Sequence, residues 1–258
     1  MKNSSVVVVY KPQGWTPLAA VEEFKKSNPS YSDEKISYAG RLDPMAEGPL
    51  LLLVGNENKK RKEYEQLKKS YEAEIVLGIS TDSFDALGII HSTKIGNFFS
   101  EIDIKKCLGL FVGKQDQVYP PYSSKTVNGK SLIRWAKENR LSEIELPKKQ
   151  IEIYSLTLEE IEQVKVSKLY KSVMERIKNV EGNFRQKEIL NVWKDFTKKN
   201  KEEQLIKIKI KVSCSSGTYI RRLASDIGEK LGCGAFALAI VRNVVVGYFQ
   251  EDCLELVG

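Results

Sequence analysis

"YAGRLDPMAEGPLLLLVG", Tyr38–Gly55, sets a single aspartate, Asp43, between a leucine and a proline, with Gly40 and Gly48 on either side and five branched apolar residues, Leu50 to Val54, close behind. An apolar run of that length, ended by a glycine, reads as a strand buried on both faces. An isolated Asp-Pro step is ordinarily a helix cap, because the carboxylate accepts backbone N–H groups and proline presets the first turn. A carboxylate at the mouth of a buried strand is therefore the feature to explain.

Upstream, Val6 to Tyr10 is a second continuous apolar run, a buried strand stopped by Lys11-Pro12-Gln13-Gly14. Thr16 followed by Pro17 starts a helix, with Leu18, Val21 and Phe24 at helical spacing. Downstream, Asn58 to Ser70 is a charged helix or loop. In Tyr71 to Leu77 the residues Tyr71, Ala73, Ile75 and Leu77 share one face, which turns Tyr71 inward. Thr81 to Gly88 is turn-rich, Ile102 to Leu110 is helical, and Gln117 to Leu132 is a loop or hairpin punctuated by proline and Asn-Gly, leading to a short helix. Ile151 to Leu158 is strand-like with its phase slipping near Tyr154, which suits a bulge.

From Glu162 to Glu203 the chain carries eleven basic and seven acidic residues. Leu169, Val173, Ile177 and Val180 make one helical stripe, and Ile189, Trp193 and Phe196 make another beyond Gly182-Asn183. The spacing predicts a helical hairpin inserted into a sheet domain. Ile206 to Val212 then alternates without error, Ser216-Gly217-Thr218 is a cap for a helix bearing Ile220, Leu223, Ile227 and Leu231, Gly232 ends that helix, and Val244 to Phe249 closes the sheet. Strands and helices mix without βαβ regularity, so the expected class is α+β, mixed α/β, with a central, largely antiparallel sheet.

The totals exclude several chemistries. With 258 residues, 41% of them hydrophobic, the chain can build a core, and its net charge of +7 suits a polyanionic partner. Four scattered cysteines favour neither disulfides nor zinc and fit a reducing, cytoplasmic setting. His91 is the single histidine, read as a solvated loop residue, which disfavours histidine relays and His-rich metal sites. Glycine-rich nucleotide-binding motifs are missing, and no apolar stretch is long enough for a signal segment or a membrane span.

Five segments, in order, carry a resemblance: KPQGWTP from Lys11, GRLDPMAEGPLLLLVG from Gly40, KSYEAEIVLGISTDSFDALG from Lys69, YPPYSSKTVNGKSL from Tyr119, and CSSGTYIRRLASDIGEKLGCGA from Cys214. The second closely resembles the signature G-x-L-D-P-x-A-x-G-x-L of the TruB family of pseudouridine synthases, and the match runs across most of residues 5 to 250 outside the Glu162 to Glu203 insertion. The resemblance implies a pseudouridine synthase fold, no metal and no cofactor. It further implies that Asp43 is the catalytic aspartate, Tyr71 the aromatic beside the target base, and Arg221, directly after Tyr-Ile, the basic partner of the aspartate. Lys11, Tyr38, Lys125, Ile240 and Arg242 fall at motif positions expected to meet substrate. The implied substrate is the T-loop uridine of tRNA, recognised on its T-arm by a monomer.

These residue types suit the chemistry. The reaction breaks the N1–C1′ bond, turns the uracil and joins C5 to the same sugar carbon. A carboxylate beneath C1′ either attacks it, or stabilises oxocarbenium character and removes a sugar proton. The apolar run behind Asp43 holds its loop rigid and dry, the glycines admit the nucleotide, and a two-pronged guanidinium partner keeps the acid ionised. Tyr71 offers a stacking face, and its hydroxyl is a candidate for late proton removal from C5.

Some positions depart from the family pattern. Tyr38 and Phe236 stand where bacterial members commonly have histidine, rings that preserve a stacking face, and Ile240 and Asn243 replace the usual leucine and threonine. Only nine residues follow Phe249, so the chain is expected to be one catalytic domain, residues 1–258, without the RNA-binding PUA domain often appended. The basic hairpin is either a substitute grip on the tRNA backbone or a solvated decoration. The rival functions are a non-catalytic RNA-binding or tRNA-folding protein on the same scaffold, and a nucleoside hydrolase.

Overall fold

The computed structural model describes residues 5–96, 99–249, 251 and 253–256. Strand β1 (Ser5–Lys11) leads to helix α1 (Pro17–Ser27), β2 (Ile36–Ala39) and β3 (Ala46–Val54). The short α2 (Arg61–Glu65) precedes β4 (Lys69–Leu77), β5 (Ile79–Thr81) and β6 (Ile90–Thr93). Next come α3 (Glu101–Gly109), β7 (Gly113–Val118), the small hairpin β8 (Thr126–Val127) and β9 (Lys130–Ser131), and α4 (Leu132–Lys137). The last third holds β10 (Lys148–Lys165), α5 (Val166–Lys178), α6 (Gln186–Asn200), β11 (Gln204–Cys214), α7 (Ile220–Lys230), β12 (Ala235–Val245) and β13 (Tyr248–Phe249).

The main sheet runs β1-β3-β12-β4-β11-β10-β7, with β2 added to β3 and β13 to β12. As expected for α+β, its pairings are antiparallel except one: β3 and β12 run parallel, with Ile240 opposite Ala46. The Leu50–Val54 run is wholly buried because both of its faces are covered. Leu50 and Leu52 pack with Val9, Val21 and Phe24, while Leu51 and Leu53 pack with Val8, Ala39 and Val245. The alternating segments behave as their period demands. Ile208, Ile210 and Val212 join Tyr71, Ala73 and Ile75 beneath Ile220, Leu223 and Ile227 of α7. On the opposite, wet face Lys207 and Lys209 pair with Glu74, Glu162 and Glu72. The pairing of β10 with β11 slips between Ile153 and Ser155, the bulge expected at Tyr154.

The Asp43-Pro44 step stands at the mouth of a strand, as read, and not at a helix start: β3 begins at Ala46, whose N–H is held by the Asp43 carbonyl at 3.0 Å. Other expectations are corrected. Thr16 does cap α1, accepting from the Ala19 N–H, but Leu18 points outward and is 57% exposed. His91 lies exposed on strand β6 rather than in a loop. The final strand of the main path begins at Ala235, not Val244. Both faces of Ala235–Ile240 are buried, so the segment carries no alternation to read.

The helical hairpin is present, with narrower helices than the basic segment suggested: Glu162 to Lys165 stay in β10, paired with Lys207 to Gln204. It is no solvated decoration. Its Val173, Ile177, Ile189 and Trp193 close over Val76, Leu205, Phe236 and Leu238 on the second face of the sheet. Trp193 is fully buried and meets Phe236 edge-on at 5.4 Å. Trp193→Ala is therefore expected to cost about 3–5 kcal/mol of folding stability by urea titration, where a residue of a solvated appendage would cost within about 0.5 kcal/mol. Among the described residues no helix is long and apolar enough to cross a membrane.

Candidate active site

Asp43 lies in the loop between β2 and β3, at the floor of a cleft of about 670 Å³. The loop is braced by Gly14 and by Arg242. The Gly14 N–H donates to the Pro44 carbonyl at 2.8 Å. Arg242, fully buried on β12, donates through Nη1 to the Gly40 carbonyl at 2.8 Å and through Nε to the Pro49 carbonyl at 2.9 Å. Gly48 has φ +118°, and a Cβ there would strike the Arg242 carbonyl, so only glycine lets β3 approach β12 so closely.

Arg221 comes from the first turn of α7. The expected cap from Ser216 to Thr218 is not what holds that end. The N-cap residue is Tyr219, whose N–H donates to Gln117 Oε1 at 2.8 Å while its carbonyl accepts from Gln117 Nε2 at 3.1 Å. The Arg221 guanidinium, 2% exposed, spends its donors on three partners: Nε on Asp43 Oδ2 at 2.7 Å, Nη1 on the Ser83 carbonyl at 2.8 Å, and Nη2 on the Tyr122 carbonyl at 2.9 Å. The contact with Asp43 is thus single, not two-pronged, because the fork is occupied by backbone. Burial works against the guanidinium charge, but Asp43 and Asp85 outweigh it and raise its pKa.

Asp85 is the second acid, 4.0 Å from Arg221 Nε, bonded to the Ser83 hydroxyl at 2.6 Å and the Leu87 N–H at 3.0 Å. Burial lifts its carboxyl to about 6, against the pull of Arg221 and of those hydrogen bonds. Tyr71, facing the cleft from β4 and in register with Arg242, is buried, and its phenol is pushed up to about 12. At neutral pH Tyr71 therefore faces the cleft as a neutral phenol.

Six of the eight residues singled out from sequence line this one cleft: Asp43, Tyr71, Arg221, Tyr38, Ile240 and Arg242. The two lysines do not. Lys11 is wholly buried and donates to the Pro12 and Trp15 carbonyls, each at 2.8 Å; burial draws its ammonium down to about 7 against the attraction of Asp43. It braces the turn beside the cleft. Lys125 is exposed outside the cleft, 5.4 Å from the Tyr119 ring centroid. Arg222 pairs with Asp226 and Glu229, away from the cleft. Phe236 packs under the hairpin rather than beside the site, and Asn243 is bonded to Glu72 on the wet face.

Other cleft residues escaped the sequence reading. Asp85 sat in the Thr81–Gly88 turn, where Ser83 two residues before an aspartate was the available signal. Lys69, buried and pulled down to about 8 chiefly by burial, gives its ammonium to the Glu65 and Leu67 carbonyls. Leu18 offers an exposed apolar side chain at the cleft rim. Tyr122 lies in the family-like segment from Tyr119 without being singled out, and Arg185 has no local signal at all.

A family model described as TruB family pseudouridylate synthase (N terminal domain) matches residues 28–174. The tRNA pseudouridine synthase B of Shouchella clausii is 30% identical over 257 residues, 99% of this chain and 71% of that protein. The protein of the same name from Thermotoga petrophila is 32% identical over 251 residues, 97% of this chain and 66% of that one. The family model stops within α5, whereas these alignments continue across α7. A chain in the crystal structure of a Cbf5-Nop10-Gar1 complex matches with a TM-score of 0.59 at 18% identity, over 97% of this chain and 52% of that one, a likeness of fold.

Proposed function

This chain belongs to the TruB family of pseudouridylate synthases, and from that premise we propose that it isomerises the T-loop uridine of tRNA to pseudouridine with Asp43 as the catalytic group. The observation that carries the reading is the 2.7 Å contact between Asp43 and a buried Arg221 inside a cleft also faced by Tyr71. Arg221 gives the Asp43 carboxylate a buried cationic partner as a nucleotide shuts out water. Tyr71 and Ile240 supply a flat apolar bed for the base once it leaves the RNA stack. The N1–C1′ bond breaks, C5 takes its place on C1′, one proton leaves C5 and one is gained at N1, so substrate and product have the same composition. Whether Asp43 adds to C1′ or steadies an oxocarbenium ion and takes a sugar proton, it must be anionic and next to the ribose. The tRNA substrate is drawn from the names of the relatives, and the excess of basic residues suits a polyanion.

The test is incubation with an unmodified tRNA transcript, followed by nucleotide-resolved mapping. The expected product is one pseudouridine in the T-loop, formed equally in EDTA with the RNA kept folded, and with no free uracil. Free uracil would mean a hydrolase, and tight binding without product would mean an RNA-binding protein on this scaffold.

A further inference from the structure

The tip of the helical hairpin reaches into the cleft. Asn183, Phe184 and Arg185, which join α5 to α6, line the same cavity as Asp43. Arg185 donates to both oxygens of Asp82, at 2.9 and 3.2 Å, and its guanidinium carbon lies 4.5 Å from the centre of the Tyr122 ring. The Tyr122 hydroxyl donates to the same Asp82 carboxylate at 3.0 Å. Arg185, Asp82 and Tyr122 therefore form a closed triangle of a bidentate ion pair, a hydrogen bond and a stacked cation. Arg185 itself has φ +64°, a left-handed conformation that a non-glycine residue adopts only when its surroundings hold it there.

The hairpin is anchored on the opposite wall as well. Gln13 Nε2 donates to the Arg176 carbonyl at 2.9 Å, and the Glu181 N–H donates to the Gly14 carbonyl at 3.1 Å. A Cβ at Gly14, φ +100°, would strike the Asn179 carbonyl. This is the glycine whose N–H holds Pro44 behind Asp43. The insertion thus spans from the turn supporting the Asp43 loop to the Tyr122 segment whose carbonyl accepts from Arg221.

We propose that Arg185 is a positioning residue: by clamping Asp82 and the Tyr122 ring it holds the Tyr122 carbonyl against Arg221, and through Arg221 it aims Asp43 at the bound nucleotide. This rests on the function argued above. The Arg185–Asp82 pair is a quarter exposed on each side, so it contributes little to global stability, and its work is local.

The experiment uses the full chain with Arg185→Gln and Arg185→Lys, measuring tRNA affinity and the single-turnover rate at saturating enzyme. Arg185→Gln is expected to slow that rate by about 10- to 100-fold, the scale of a small misplacement of catalytic groups, with Kd changed less than about threefold. Arg185→Lys keeps the charge and loses the planar stack, and recovers part of the rate. Combining Arg185→Gln with Asp82→Asn is expected to add little to either single loss. A rate within about twofold of the parent overturns the proposal, as does a tenfold weaker Kd with the saturating rate unchanged, which would make Arg185 a phosphate contact. Hydrogen exchange of the Arg221 Nε–H, followed by NMR without RNA, is expected to speed up in Arg185→Gln, and unchanged exchange equally overturns the proposal. If the parent makes no pseudouridine, the functional reading fails, and this exchange measurement decides the role of Arg185 by itself.

Discussion

Asp43→Asn is expected to give a folded protein that binds tRNA with parental affinity and forms no measurable pseudouridine. Asparagine has nearly the same shape, so its amide oxygen can still accept from Arg221 Nε, and the bracing by Gly14 and Arg242 uses only backbone of the Asp43 loop. Arg221 would not be left as an uncompensated buried cation either, because Asp85 remains 4.0 Å from its Nε. What disappears is the anion. An amide can neither add to C1′ nor stabilise positive charge on the sugar, so the rate should fall by at least about 10³-fold, equivalent to about 4 kcal/mol of transition-state stabilisation. Thermal melting, filter binding and product mapping separate the three properties. Product formation within tenfold of the parent would remove Asp43 from the mechanism.

Arg221→Lys is expected to damage stability and rate together. A lysine ammonium is a point donor on a flexible stem, and it cannot meet Asp43, the Ser83 carbonyl and the Tyr122 carbonyl as the planar fork does. Each buried acceptor left unpaired costs about 1–3 kcal/mol, so a loss of about 2–5 kcal/mol in urea unfolding is expected, with a rate loss of about 100-fold or more. The pH dependence should move too. In the parent the Asp85 carboxyl sits at about 6 in the fold, above the ordinary value of about 4 for an unfolded chain. The folded state therefore holds that proton more tightly; the stability this contributes is fully present below about pH 4 and is lost as pH rises through about 6. With the guanidinium replaced by a poorer partner, Asp85 should rise further, and the loss should extend to higher pH. A variant whose stability, rate and pH profile all match the parent would show that the guanidinium geometry is dispensable.

The active-site acid and its arginine were legible in the chain because each sits in a distinctive local motif, Leu-Asp-Pro between glycines and Thr-Tyr-Ile-Arg at a helix start. Their meeting was expected only through the family resemblance, since 178 residues separate Asp43 from Arg221 and neither motif by itself points to the other. Lys11 and Lys125 show that a motif leaves the placement of its residues open. Both belong to segments that resemble the family, yet one serves as a buried brace and the other is exposed beside the Tyr119 ring, outside the residues that line the cleft. The hairpin shows the same on a larger scale. Its two apolar stripes announced two helices, but its charge left open a grip on the tRNA backbone or a solvated decoration, and only Trp193 against Phe236 reveals it as a layer of the core.

By itself the sequence determined which face of each alternating strand is wet, where α1 begins, where β10 bulges and which helices are amphipathic. These follow from forces acting between near neighbours along the chain, the partition of side chains between water and core and the capping of free backbone groups. Tertiary structure alone decided that β12 is a central strand running parallel to β3, that Arg221 spends its fork on two carbonyls and shares its charge between two acids, and that Arg185 closes the cleft from an inserted hairpin. Burial on both faces erases the alternation that would have marked β12, and a contact between residues about a hundred or more positions apart leaves no periodic trace in either partner.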